Sequence, residues 1–187
     1  GGNGVLGVVV VTIEQGDGVV HQLLVVLHSL LVGAAVLVLL VLQKTHGLEH
    51  RSGIVLGDAG INYYGFPKDD KLKSSLNKIG CTFFCIHGNH EMRPESLPTY
   101  QEMKWNDGIV YVEKDYPNLL FAKDGEIYNI NGKKTLVIGG AYSVDRDYRI
   151  RMNPHCPFWW PDEQPSDIIK KSVESKLEEN NWNVDIV

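Results

Sequence analysis

The chain has 187 residues, 43% of them hydrophobic, and its 18 Lys and Arg against 23 Asp and Glu give a formal charge of −5. That length holds one domain, or one domain with an appendage. The acidic balance excludes an overall electrostatic claim on nucleic acid or an anionic membrane, since such binding needs clustered Lys and Arg.

The composition changes sharply along the chain. Residues 1–43 hold no Lys or Arg, and their only acids are Glu14 and Asp17. Within them Leu23–Leu42, "LLVVLHSLLVGAAVLVLLVL", matches the roughly 20 apolar residues that a membrane-spanning helix needs. Lys44 and Arg51 then mark its cytoplasmic side, while His28 and Ser29 within the run count against burial in hydrocarbon. No positive region precedes the run, so it does not read as a signal peptide. Residues 1–51 therefore form an atypical apolar segment with three open readings: a membrane anchor, a buried hydrophobic element, or a fragment or misframed end foreign to the rest. His46 and His50 stand four apart, but Gly47 between them weakens the helix that a metal-binding pair requires.

From Ser52 to Val187 the pattern is orderly. Ile54–Leu56 predicts a buried strand that ends in Gly57-Asp58. Thr82–Ile86 predicts a second, ending in His87-Gly88-Asn89-His90, and Thr135–Ile138 a third, ending in Gly139-Gly140. Between the first two, Leu72, Leu76 and Ile79 share one helical face, and Gly80 stands where a helix ends. Strand, helix and strand make a crossover unit, so the first two strands are predicted parallel. Their polar tips then face one crevice, where open α/β sheets bind ligands. Asp124-Gly125 and Asn131-Gly132 predict two-residue hairpin turns. Ser166 predicts the cap of a helix carrying Ile168, Ile169, Val173 and Leu177 on one face, and "VDIV" predicts the start of another strand.

Cys81, Cys85 and Cys156 form neither a C-x-x-C pair nor an even-numbered framework. They predict reduced thiols in a reducing, cytoplasmic compartment; a membrane-anchored chain with its globular part in the cytoplasm is the alternative. Cys81 and Cys85 lie in an apolar run and read as core thiols. Trp159-Trp160 reads as packing.

A carboxylate at one strand end, with an amide and an imidazole at the next, suits hard or borderline divalent cations. Two such ions can clamp the oxygens of a phosphoryl displacement. The combination of "GIVLGDAG" with "IHGNHE", Asn89 standing 31 residues after Asp58, resembles the calcineurin-like metallophosphoesterase superfamily over residues 52–187. "IGGAYSVDRDYR" and "WWPDEQPS" resemble segments of its small bacterial and phage members. The resemblance implies an α/β fold, a β-sandwich with flanking helices, incomplete at both ends. It implies two divalent metal ions of the manganese, iron, zinc or nickel class and a phosphomonoester or phosphodiester substrate. Asp58 would bridge the metals, Asn89 would supply an amide ligand, and His90 would contact the phosphate and assist the leaving group. Glu91 would stand beside the ligands rather than among them, and His87 would be structural. Arg93, Tyr142 and Asp145 would bind substrate, with Tyr63, Tyr64 and Arg146 also at the mouth. "GDAGINYYG" departs from the G-D-x-V-D-R-G of the superfamily's protein Ser/Thr phosphatases.

Two departures shape the expectation. The superfamily's first motif, D-x-H, has no counterpart; Lys44-Thr45-His46-Gly47 carries Lys where Asp belongs. The later His motifs are not found before Val187. The implied ligand set is therefore incomplete, and this chain is expected to be a weak or inactive hydrolase. A non-catalytic scaffold or membrane-associated binding protein is the alternative.

Overall fold

The computed structural model describes residues 6–14, 20–28, 52–153 and 159–187. These form a mixed α/β structure with few helices. In chain order the elements are β1 (Leu6–Glu14), β2 (Val20–His28), β3 (Ser52–Leu56), α1 (Asp70–Asn77) and β4 (Thr82–Ile86). A short 3-10 turn at Pro94–Ser96 leads to β5 (Tyr100–Trp105), β6 (Gly108–Glu113), β7 (Leu119–Ala122), β8 (Ile127–Ile130) and β9 (Lys133–Leu136). Helices α2 (Arg146–Met152) and α3 (Asp167–Glu179) follow.

Seven strands make one mixed sheet in the order β2-β1-β3-β4-β7-β6-β5, and β8-β9 make a second. β3 runs parallel to β4, in register from Ser52 opposite Thr82 to Leu56 opposite Ile86, as the crossover through α1 requires. β4 is also parallel to β7, so the tips of β3 and β4 open on the same rim.

Side chains alternate across this sheet with the period of two that a strand imposes. Phe83 and Cys85 of β4, with Leu119 and Phe121 of β7, join Val55, Leu76 and Ile79 on the face covered by α1. Phe84, Leu120 and Ala122 point the other way and meet Tyr128 of β8 and Val137. Phe84 stacks on Trp105 at 4.7 Å and meets Tyr128 edge-on at 4.9 Å. Gly108 makes room for Tyr128, because a Cβ there would stand 2.5 Å from its ring. On the outside of the second sheet, Leu136 packs with Val173 and Leu177 of α3. Cys81 and Cys85 are buried and free, and burial pushes the Cys85 thiol well up.

Several expectations need correction. Asp124-Gly125 is not a hairpin turn: β7 lies in the large sheet and β8 in the small one, so the dipeptide carries the chain between sheets. Asn131-Gly132 does turn a hairpin, with both residues at positive φ. Ile168 is 82% exposed, although Val173 and Leu177 of its helix are buried. Ser166 caps α3 by accepting from the backbone of Ile169 at 3.3 Å. The "VDIV" segment reaches β9 as a single parallel bridge, Ile186 to Thr135.

The apolar segment 23–42 does not begin as a helix, since residues 23–28 belong to β2, which pairs antiparallel with β1. The remainder, and the 44–47 and His50 readings, lie outside the described residues. Among the described residues no helix is long and apolar enough to cross a membrane.

Candidate functional site

Two glycine-marked tips meet on the sheet rim. After β3 the chain turns through Gly57 at φ +84° and Asp58 at φ 49°. After β4 it passes Gly88, where a Cβ would stand 2.1 Å from both the Asp58 nitrogen and its Oδ1. Only glycine permits that approach. The Asp58 Oδ1 accepts a hydrogen bond from the His90 backbone N–H at 3.0 Å, which brings the carboxylate to the second tip. Glu91, fully buried, joins the tips from beneath: its Oε1 accepts from Ala59 N–H at 3.3 Å and from Gly88 N–H at 3.2 Å.

The third glycine-marked turn packs against the second. Gly140 N–H donates to the His87 carbonyl at 2.8 Å, and a Cβ at Gly139 would stand 2.6 Å from that oxygen. This turn delivers Ser143, whose hydroxyl accepts from Asn89 Nδ2 at 2.9 Å and donates to Glu163 Oε2 at 2.6 Å. Neither Ser143 nor Glu163 stands out as a site residue in the sequence, although they fall within "IGGAYSVDRDYR" and "WWPDEQPS".

Histidine chemistry concentrates at the second tip. His90 Nε2 is buried and has no hydrogen-bond partner. Burial holds its imidazole below the usual range; Asp58 pulls the other way, Arg149 reinforces the depression, and Asp145 and Glu163 oppose it. His87 is 3% exposed with both ring nitrogens unpartnered, and burial lowers it to about 3.

The three residues expected to bind substrate fall in different places. Tyr142 is 56% exposed on the loop after the third turn. Asp145 precedes α2 and accepts from Arg149 Nε at 2.6 Å, a bond that holds its carboxyl below the usual range. Arg93 is enclosed within the fold instead of lining a mouth. Its Nε donates to the Asp162 carbonyl at 2.8 Å, NH1 to Asp124 at 2.6 Å, and NH2 to the Gly139 carbonyl at 3.2 Å. A guanidinium so engaged ties three segments together and has little left for a ligand.

A cavity of about 620 Å³ adjoins the tips. Ile54, Leu56, Phe84 and Ile86 line its apolar part, and Asp58 and Asn89 its polar end.

To a divalent cation the rim could offer the Asp58 carboxylate and the Asn89 amide oxygen, while the His90 Nε2 has no hydrogen-bond partner. That chemistry suits one cation of borderline hardness. Among the described residues, no group of three or more His, Cys, Asp or Glu is arranged to hold a metal ion. No family model, no curated protein and no solved structure matches the chain.

Proposed function

We propose that the chain carries part of a metal-dependent phosphoesterase site, which hydrolyses a phosphomonoester or phosphodiester, and that it binds divalent metal weakly by itself. The reading rests on the resemblance of residues 52–187 to the calcineurin-like metallophosphoesterases, whose β-sandwich with flanking helices we propose as the fold. One observation carries it: the Asp58 carboxylate is bonded to the His90 backbone across a gap that only Gly88 can close.

Asp58 and Asn89 hold the divalent ion, of the manganese, iron, zinc or nickel class. When bound, the metal supplies Lewis-acid neutralisation and an activated water. His90 does the work of the protein at the phosphate. Its buried Nε2 is unpartnered, so an arriving phosphate oxygen finds a ready hydrogen-bond partner there. The negative charge of that phosphate favours the imidazolium, which burial otherwise disfavours, and so prepares a proton for the leaving oxygen. Tyr142 and Asp145 border the substrate.

Hydrolysis of p-nitrophenyl phosphate with added manganese tests this. We expect slow, manganese-dependent turnover that does not saturate at micromolar metal and is lost in Asp58→Asn. Hydrolysis that ignores manganese, or survives Asp58→Asn, refutes it. The absence of a three-ligand cluster among the described residues favours a second reading, a scaffold without metal. Calorimetry separates the two, because a scaffold takes up no manganese at millimolar concentration.

A further inference from the structure

Asn89 has an amide whose two ends differ chemically: an oxygen that can ligate a cation and an NH₂ that cannot. Which end faces the rim is settled by proton accounting through two further residues. Glu163 is 1% exposed, and as a carboxylate it can only accept. The Ser143 hydroxyl has one proton, and it goes to Glu163 Oε2 at 2.6 Å. The Ser143 oxygen can therefore only accept from Asn89, and only the NH₂ end can donate, at 2.9 Å. The carbonyl oxygen is left as the other arm of the amide, free of Ser143, on a residue that lines the cavity with Asp58.

We propose that Ser143 and Glu163 are positioning residues that lock the Asn89 amide with its oxygen presented as a ligand. The proposal rests on the phosphoesterase reading for its purpose, and on the hydrogen-bond chain for its geometry. The chain is anchored at its far end. The Ser143 backbone N–H approaches Glu163 Oε1 at 3.4 Å, and the Glu163 carbonyl accepts from Ala141 N–H at 3.0 Å. Gly140, at φ +89°, allows this: a Cβ there would stand 2.4 Å from the Glu163 carbonyl oxygen. A carboxylate at the end of the relay is what makes it directional. A glutamine at 163 could donate to Ser143, release the hydroxyl proton toward Asn89, and let the amide turn its NH₂ to the rim.

The test reads the Asn89 side-chain NH₂ in ¹H–¹⁵N spectra, before and during a manganese titration, on the whole chain. In the unaltered protein one Nδ2 proton exchanges slowly with water, and manganese broadens the signal. Ser143→Ala speeds that exchange and weakens the manganese response by about 10- to 100-fold, the range for residues that orient metal ligands. Ser143→Thr, which keeps the hydroxyl, restores both. Glu163→Gln weakens the manganese response as much as Ser143→Ala while leaving the backbone spectrum unchanged. Equal exchange and equal manganese affinity in Ser143→Ala and the unaltered chain overturn the proposal. Slow exchange with no manganese broadening in the unaltered chain overturns the metal reading itself, and with it the purpose of the relay. The two failures are thus distinct.

Discussion

Glu91 and His87 sit four residues apart, and burial drives their protons in opposite directions. Glu91 is fully buried, and burial pushes its carboxyl from 4.5 to about 7, with the backbone N–H of Gly88 resisting and the Asp58 charge adding to the rise. His87 is depressed from 6.5 to about 3, mainly by burial and further by the Arg93 charge. The signs follow from linkage. A carboxyl raised in the folded state contributes stability below its unfolded value that is lost as pH rises through the folded value. An imidazole lowered in the folded state contributes stability above its unfolded value that is lost as pH falls toward the folded value. Glu91 therefore favours the fold below about 4.5 and withdraws that support by about 7, while His87 favours it above 6.5 and withdraws support toward 3. Between 4.5 and 6.5 the slopes of these two groups oppose, and their contributions largely cancel. Above that window His87 no longer contributes a slope, and the Glu91 contribution should finish falling as pH passes about 7. Glu91→Gln keeps an acceptor for the Ala59 and Gly88 N–H groups without a charge. We expect it to abolish the Glu91 loss and to exceed the unaltered protein at pH 8, without metal, by about 3 kcal/mol. Urea midpoints of the two proteins that run parallel from mildly acid to mildly alkaline pH would show that Glu91 does not titrate there.

At the scale of elements, legibility divides along a physical line. Strand β4 was readable because "TFFCI" is a buried run ended by a glycine, and α1 because Leu72 and Leu76 repeat at helical spacing before Gly80 at φ +74°. The meeting of the Asp58 and His90 tips is legible because β3 and β4, which they follow, are parallel neighbours joined through α1. Asp124-Gly125 misled for the converse reason. The dipeptide suits a positive φ at Gly125, but which strand comes next to β7 is decided by tertiary packing, and the neighbours are β4 and β6. The turn of the β5–β6 hairpin, Asn106-Asp107, was not recognised, although both residues take positive φ. Ser143 and Glu163 were invisible because they reach Asn89 only once three separate turns have packed. Nor does helical spacing reveal a buried cation on α1. Lys73 is 3% exposed, pairs with Glu113 of β6 at 2.5 Å, and stands over the Tyr100 ring at 5.2 Å. Breaking a buried pair from one side strands the other charge and costs about 3–5 kcal/mol, whereas replacing both sides with apolar groups is close to neutral. Lys73→Met should therefore destabilise by that amount in chemical denaturation, and Lys73→Met with Glu113→Met should recover most of it. A double variant as unstable as the single one would mean that the loss comes from packing against Tyr100, and that the charge pair is incidental.

At the scale of the whole molecule, the two sheets must hold a fixed spacing for the rim to keep its shape. Arg93 links the connections around them, beside the direct bonds of the Tyr128 hydroxyl to the Ile109 carbonyl and of Asn129 N–H to the Asn106 carbonyl. It lies 3% exposed just after the second tip. Its partners are the β7–β8 connection at Asp124, the turn after β9 at Gly139, and the approach to α3 at Asp162. Asp124 is itself committed to this joint, since its Oδ1 accepts from Gly139 N–H at 2.7 Å. Two consequences separate this role from substrate binding. Arg93→Ala leaves the Asp124 carboxylate buried without its cation and should cost about 3–5 kcal/mol. Arg93→Lys keeps the charge but cannot serve three acceptors in the plane of a guanidinium, so it should recover only part of the loss. The damage should also be local. Hydrogen exchange should quicken in β8, β9 and α3, which Arg93 ties down, and stay slow in α1 and β4, whose packing against β3 and β7 does not pass through it. If Arg93→Ala instead keeps full stability and loses only phosphate-ester turnover, the guanidinium serves the substrate, and the sheets are held by the Tyr128 bond to Ile109 and its contact with Phe84.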